Sequence, residues 1–446
     1  LASSWLFLTY KNHPIKGIGS IRTAKLAKYL ARAGERVAVL STSNAGLFEQ
    51  ESYLDPEKEG IPCFRLATLD YQTIQLLLKK VLTLFRPLGR PRSSRPAGAQ
   101  SGRGNKIFWH NLFNLAPSSL FFGQGGFVYI LSGLLKGLSL VRKRGVTTVF
   151  SSFAPFSDHV IGWLLKSLRP GLFWIADFRD LPVSESEARQ SFGPFAARMH
   201  AGLIDLLLKK ADRITTVSEG LAVNLRQRFG PERIRVVRNG FDPEDFPIPS
   251  TAVTGRLTFF YAGAMYQGRR DPSPFLSALE ELVRDGSVPA SEILVEYAGR
   301  DASTFRRFLP GLLEPCFRDL GFLPRQEILV REQHSSCLLL LTWSSPDEKG
   351  ILTGKLYEYI AVGRPILCLI NGEQDPELVE ILSGLSPSLC ACSTDPAGTV
   401  TAFLRGLIRR YRDGKDLPAT GREGRDKHSY PGLAKALIAV AGEAHR

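Results

Sequence analysis

The residues whose types and spacing most directly suggest chemistry lie in DEKGILTGKLYEYIAVGRPILCLI, residues 347–370. Thr353 is placed to N-cap a helix running from Gly354 to about Val362, Gly363 supplies a left-handed C′ position, and Pro365 prevents continuation. PILCLI then has the length and apolarity of a buried strand. At the helix start, Gly354 lets an anion approach backbone N–H groups, the terminus carries partial positive charge, and Lys355 adds a full one. Glu358 follows three residues later on the same side of the helix. Its carboxylate can accept two hydrogen bonds from a vicinal diol. Phosphates on the helix tip and a ribose on the glutamate would make this a nucleotide site. An αβ unit in which Lys355 and Glu358 form only a solvated pair is the other reading these residues allow.

The elements that must position this stretch alternate throughout the chain. A length of 446 residues exceeds one ordinary core and predicts two or three domains. Apolar content of 44% with 22% charged residues is that of a soluble globular protein. The opening LASSWLFLTY lacks the basic lead of a signal peptide and runs directly into a strand. In the helix IRTAKLAKYLARAG, Ile21, Ala24, Ala27 and Leu30 recur at helical spacing, with Lys25, Lys28 and Arg32 directed elsewhere. RVAVLS completes a βαβ unit with Gly17 and Gly19 in its turn. GIGSIR is an incomplete dinucleotide fingerprint, because Arg22 replaces the third glycine and no acid follows the second strand. NAD is therefore disfavoured, while a phosphate or sugar group could still enter the turn.

Further on, TTVFSS reads as a strand and APFSDHVIGWLLKSL as a helix with His159 near its start. The strand LFWIADFRD ends on Asp177, Phe178, Arg179 and Asp180, at the sheet edge where parallel folds place ligands. For His159, capping or packing is the plainer role. A helix over 195–211, the strand RITTVS, the helix EGLAVNLRQRF and the strand IRVVRNGFD follow. The proline-rich PEDFPIPSTAVTG is the expected linker. Alternation then restarts with LTFFYAG, ending at Gly263, the helix FLSALEELVRD, and the strands ILVEYAG and CLLLLTW. The expectation is α/β: two Rossmann-like doubly wound parallel-sheet domains, residues 1–245 and 256–446, facing each other across a cleft.

Charge is uneven. The net charge is +14, yet no acid occurs between Asp70 and Asp158, where twelve Lys and Arg residues run from Lys79 to Arg144. Within it, a basic and aromatic insertion spans about 86–126, and an apolar helix begins near Phe127. The run is too interrupted for a membrane span but suits an interfacial segment on anionic lipid through residues 79–144. With no recognition motif beside the basic residues, no nucleic acid partner is expected. The six cysteines lack zinc or disulfide spacing, which fits a reducing cytoplasm.

Taken in order, GIGSIRTAKLAKYLARAGERVAVLS, WIADFRDLP, ADRITTVSEGLAVNL with VVRNGFD, FYAGAMYQGRRDP and TGKLYEYIAVGRPIL resemble GT-B-fold glycosyltransferases, specifically the family 4-like retaining enzymes. The resemblance spans nearly the whole chain. It implies a nucleotide-sugar donor on the C-terminal half and an acceptor on the N-terminal half, with no metal or other cofactor. Glu358 then corresponds to the second glutamate of the family's pair, on the nucleotide ribose. Arg269 and Arg270 match its diphosphate-binding residues after the strand ending at Gly263, with Thr353, Gly354 and Lys355 at the leaving-group end. Gly17 and Gly19 match its glycine turn near the donor, while His159, Asp177, Arg179 and Asp180 border the acceptor. Arg270, Lys355 and Asp180 are the expected catalytic set. The pair's first acid would fall at Gly350, so the contact to a donor-sugar hydroxyl is shifted or absent. The implied role is sugar transfer to a glycan or lipid-linked acceptor in cell-surface polysaccharide or glycolipid synthesis, at the inner face of the membrane. A nucleotide-sugar 2-epimerase and a degenerate, non-catalytic nucleotide-sugar-binding scaffold are the alternatives.

Overall fold

The computed structural model describes residues 3–15, 18–43, 56–70, 74, 125–179, 185–246, 255–345, 352–385, 387–414 and 422–443. Expectations about Gly17, Asp180, Gly350 and the basic stretch 79–124 lie outside these residues. The chain forms two units. The first comprises Leu1–Val217, Leu221–Val237 and Ala434–Arg446; the second comprises Ser218–Gly220 and Arg238–Leu433.

The first unit holds seven strands, β1 (Ser4–Leu8), β2 (Arg36–Thr42), β3 (Cys63–Leu66), β4 (Thr148–Phe153), β5 (Phe173–Phe178), β6 (Arg213–Thr216) and β7 (Ile234–Val236). They pair in parallel in the order β3-β2-β1-β4-β5-β6-β7. The strand order reverses at β1, the position where a doubly wound sheet opens a crevice at its carboxyl edge. The crossovers are α1 (Ile18–Arg32), α2 (Gly126–Arg144), α3 (Phe156–Leu168), α4 (Glu185–Leu208) and α5 (Glu219–Phe229). Helix α4 breaks at Gly193, φ 83, followed by Pro194, so the expected helix from 195 is its second segment. Helix α1 differs from expectation in one respect: Lys25 is buried rather than turned outward, as is Arg22.

The second unit repeats the design with β8 (Leu257–Ala262), β9 (Ile293–Ala298), β10 (Phe317–Asp319), β11 (Cys337–Ser344), β12 (Ile366–Gly372) and β13 (Ser388–Cys392). These lie parallel in the order β10-β9-β8-β11-β12-β13, reversing at β8. Successive strand residues project to opposite faces, and here both faces are covered. Leu257, Phe259 and Tyr261 pack on one side, with residues of α6 (Ser273–Arg284) and α10 (Thr399–Arg412). Phe260 and Ala262 pack on the other, with residues of α8 (Gly354–Val362) and α9 (Pro376–Ser383). Helix α7 (Arg325–His334) packs against α8 and β8.

The division falls at Val237, ahead of the proline-rich stretch expected to mark it. The Phe241 N–H donates to the His428 carbonyl, and the Tyr430 N–H donates to the Phe241 carbonyl. These bonds already tie the segment to the second unit. The last helix, α11 (Tyr430–Gly442), starts in the second unit and ends in the first, where Glu443 pairs with Arg213 at 2.7 Å and Arg235 at 2.8 Å.

Candidate functional site

In the second unit the site is assembled where β8 ends. Gly263 adopts φ +150, and a Cβ there would lie 3.1 Å from Lys355 Cε, 3.2 Å from the Tyr261 hydroxyl and 3.3 Å from Arg270 Nη1. The backbone conformation and the close side chains both favour glycine. Buried Arg270 donates from Nη1 to the Tyr261 hydroxyl at 3.2 Å and the Ala264 carbonyl at 3.1 Å. Its Nε is buried with no hydrogen-bond partner among the described residues. The Arg270 guanidinium lies 4.6 Å from the Tyr266 ring centroid, and that of Arg269 lies 4.3 Å from Trp343. Tyr266 and Trp343 pack at 5.2 Å between centroids. Tyr266 and Gln267 hold φ values of 47° and 58°, a backbone conformation costly for non-glycine residues. Both arginines follow this turn, which begins just after the carboxyl end of β8.

Helix α8 supplies the rest. Gly363 closes it in the left-handed region, its N–H donating to the Tyr359 carbonyl at 3.0 Å, as the sequence predicts. The other end corrects the expectation: Thr353 occupies the N-cap position, but its hydroxyl makes no capping bond, and Oγ1 is buried without a partner among the described residues. Lys355 is half-buried beside Gly263. Burial pushes its ammonium pKa down, and Glu332 and Glu358 oppose the shift. Glu358 pairs with Arg325 at 2.9 Å. Glu332, on α7, is fully buried, and neither carboxylate oxygen has a hydrogen-bond partner among the described residues. Burial, with the Glu358 charge adding, pushes its pKa up to about 8. A lysine this withdrawn from water is not the solvated pair that the sequence left open.

Sequence reasoning missed Glu332, Arg325, Tyr266 and Trp343. Trp343 carried a signal, as the aromatic end of an apolar strand leading into the lysine helix. Glu332 carried none, because its helix RQEILVREQH reads as polar.

The first unit treats its expected residues differently. Asp177 does not border an open pocket: it is wholly buried and pairs with equally buried Arg22 at 2.9 Å. Its carboxylate also accepts from the Thr215 hydroxyl at 2.8 Å and the Ser152 hydroxyl at 3.4 Å. Arg22 reaches the Val237 carbonyl at 2.8 Å as well, so the residue replacing the third fingerprint glycine is an internal strut. His159 is fully buried among Phe153, Phe178 and Trp174, with Nδ1 2.7 Å from the Ser151 hydroxyl. Burial pushes its pKa down to about 3, and packing, not ligand contact, describes it. Arg179 remains at the edge, donating to the Phe153 carbonyl at 2.8 Å and the Ala154 carbonyl at 3.1 Å. Its guanidinium lies so close to Gly19 that a Cβ there would fall 1.5 Å from Nη1. Neighbouring Asp158, which the sequence reading passed over, accepts from the Tyr10 N–H at 2.8 Å and the Tyr129 hydroxyl at 2.9 Å. Burial pushes its carboxyl up to about 7.

Residues 114–245 match the model of glycosyltransferase family 4. A glycosyltransferase from Rickettsia africae is structurally similar over all of both chains, with TM-score 0.59 and 12% identity. The N-terminal domain of trehalose-6-phosphate phosphatase from Candida albicans is similar over all of this chain and 97% of that one, with TM-score 0.54 and 11% identity. No curated protein sequence matches the chain. The paired parallel sheets are the GT-B architecture. Residues 114–245 are thus similar to glycosyltransferase family 4, and the solved structures share the fold.

Proposed function

We propose that this family 4-like chain transfers a sugar from a nucleotide diphosphate-sugar to a glycan or lipid-linked acceptor, with retention of configuration. The carrying observation is the convergence of Arg270 and Lys355 on Gly263, with Glu358 along the same helix. The donor's diphosphate takes Arg269, Arg270, Lys355 and the N–H groups at the start of α8, none of them capped by the Thr353 side chain. Its ribose takes Glu358 in exchange for Arg325. As the glycosidic bond breaks, charge grows on the leaving diphosphate, and these fixed cations stabilise it without a metal. The acceptor, held by the first unit, attacks on the leaving-group face, and its proton passes to the diphosphate. Screening nucleotide-sugars by thermal shift identifies the donor, since a bound ligand raises apparent stability. Glu358→Ala should then abolish or severely reduce transfer while the protein stays folded; near-normal turnover would remove the site assignment.

The acceptor reading includes a membrane surface. No helix among the described residues is long and apolar enough to cross a membrane. Helix α2 nonetheless exposes Phe127, Leu131 and Leu135 at four-residue spacing and ends in Arg142, Lys143 and Arg144. That combination suits shallow insertion beside anionic headgroups, with about 1 kcal/mol for each basic residue near the surface. Co-sedimentation with phosphatidylserine-containing vesicles should be salt-sensitive and should drop in Leu131→Glu/Leu135→Glu. Equal binding by the double variant would leave α2 as an ordinary surface helix.

A further inference from the structure

The donor reading gives roles to Lys355 and Glu358 but none to Glu332. Yet Glu332 is the most unusual polar group nearby. It is 0% exposed, and neither carboxylate oxygen has a hydrogen-bond partner among the described residues. A buried carboxyl without partners is expensive to keep, costing several kcal/mol as an isolated charge. Arg331, one position earlier on α7, turns instead to Glu296 at 2.9 Å. The charges that act on Glu332 come from α8, in Lys355 and Glu358, and from Arg325 at the start of its own helix. Tyr359 of α8 also senses it, and that hydroxyl is likewise buried without a partner. Arg270, beyond β8, adds its positive charge to the surroundings of Lys355. The arrangement therefore leaves a buried carboxyl, unpartnered among the described residues, under the charge of Lys355.

Resting on the donor reading above, we propose that Glu332 is a positioning residue for the leaving diphosphate. Protonated, Glu332 leaves the half-buried Lys355 to the phosphate; ionised, it competes with the diphosphate for that ammonium. Two anions competing for one half-buried lysine would repel each other across a few ångströms of low-dielectric protein. A proton on Glu332 removes the conflict without moving either helix. Its pKa, raised to about 8, keeps that proton in place near neutral pH. The sign follows: diphosphate affinity is full below about pH 8 and falls as Glu332 ionises above it.

The test compares the wild type with Glu332→Gln, which fixes the neutral form, and Glu332→Asp, which restores an ionisable group. The first measurement is the acylation rate of Lys355 by an amine-reactive ester at pH 9, read by peptide mass spectrometry. Removing the carboxylate lowers the ammonium pKa, so E332Q should react about tenfold faster, one pKa unit being a factor of ten in free amine, with E332D close to wild type. Equal rates in wild type and E332Q overturn the proposal. The second is the affinity for ADP, GDP and UDP by calorimetry at pH 7, 8 and 9. For whichever binds, wild-type affinity should fall about tenfold from pH 7 to 9, and E332Q should hold within about threefold. Parallel decline in both also overturns it. If none binds the wild type at any pH, the donor reading fails, while the acylation comparison still judges the coupling of Glu332 to Lys355. If E332Q does not fold, Glu332→Leu, which also removes the charge at that buried position, takes its place in both measurements with the same expected and overturning outcomes.

Discussion

The turn after β1 and the turn after β8 occupy the same place in two doubly wound sheets, each at the strand where the order reverses. They use charge in opposite ways. Around the first, Arg22 and Asp177 satisfy each other completely, with Thr215, Ser152 and the Val237 carbonyl taking the remaining valences. Around the second, Arg270 Nε, Thr353 Oγ1 and both oxygens of Glu332 are buried without partners among the described residues. Native proteins rarely leave buried polar atoms unsatisfied unless a ligand completes them. The Arg22–Asp177 pair is a brace, although Asn12, the Ser20 hydroxyl and His159 Nε2 near the first turn are also buried without partners among the described residues. Charge type does not distinguish the two edges, but how fully their charged groups are hydrogen-bonded does.

The strongest way to break this contrast is Asp177→Ala. It strands the Arg22 guanidinium in a fully buried position, and losing one partner of such a pair costs about 3–5 kcal/mol. Urea unfolding should therefore show a large loss of stability in the first unit. A variant that keeps its stability and loses only transfer would put Asp177 back at the acceptor.

Arg270→Ala probes the other side. Its hydrogen bonds to Tyr261 and the Ala264 carbonyl are modest, so unfolding free energy should change less than in Asp177→Ala. Removing a cation aimed at the leaving group should lower the turnover number about 10²–10³-fold. If instead stability collapses and the residual folded protein turns over normally, Arg270 is the brace and the contrast is reversed.

Much of the second unit's site was legible in the sequence, since helix termini are local. Gly354 and Val362 bound α8 as the spacing requires, and Gly363 caps it in the left-handed region. Strands β8, β9 and β11 fall within the apolar runs that suggested them. What stayed hidden depends on tertiary packing. Nothing local says that Lys25 and Arg22 turn inward, because their burial is set by the sheet beneath α1. Asp177 reads as an edge acid until Arg22, far away in sequence, is found against it. Glu332 sits in a polar helix, and only packing against α8 and β8 withdraws it from water. The late return of Ala434–Arg446 to the first unit likewise has no signal in its own composition.

The smallest effect, and the finest test of the contrast, belongs to Gly19→Ala. The atoms nearest the new methyl would be Nη1, Cζ and Nη2 of Arg179, the far end of a flexible side chain. The helix therefore need not move, and the cost is the displaced guanidinium's bonds to the Phe153 and Ala154 carbonyls. At about 0.5–1.5 kcal/mol each, more for a charged donor, partly regained from water, the net loss should be about 1 kcal/mol. If the first unit's edge only braces the fold, transfer at saturating donor should follow that small change. A drop in transfer much larger than the stability loss, with donor affinity intact, would mean that Arg179 touches the acceptor. The first sheet would then carry both a brace, in Arg22 and Asp177, and an acceptor contact in Arg179, two positions beyond Asp177.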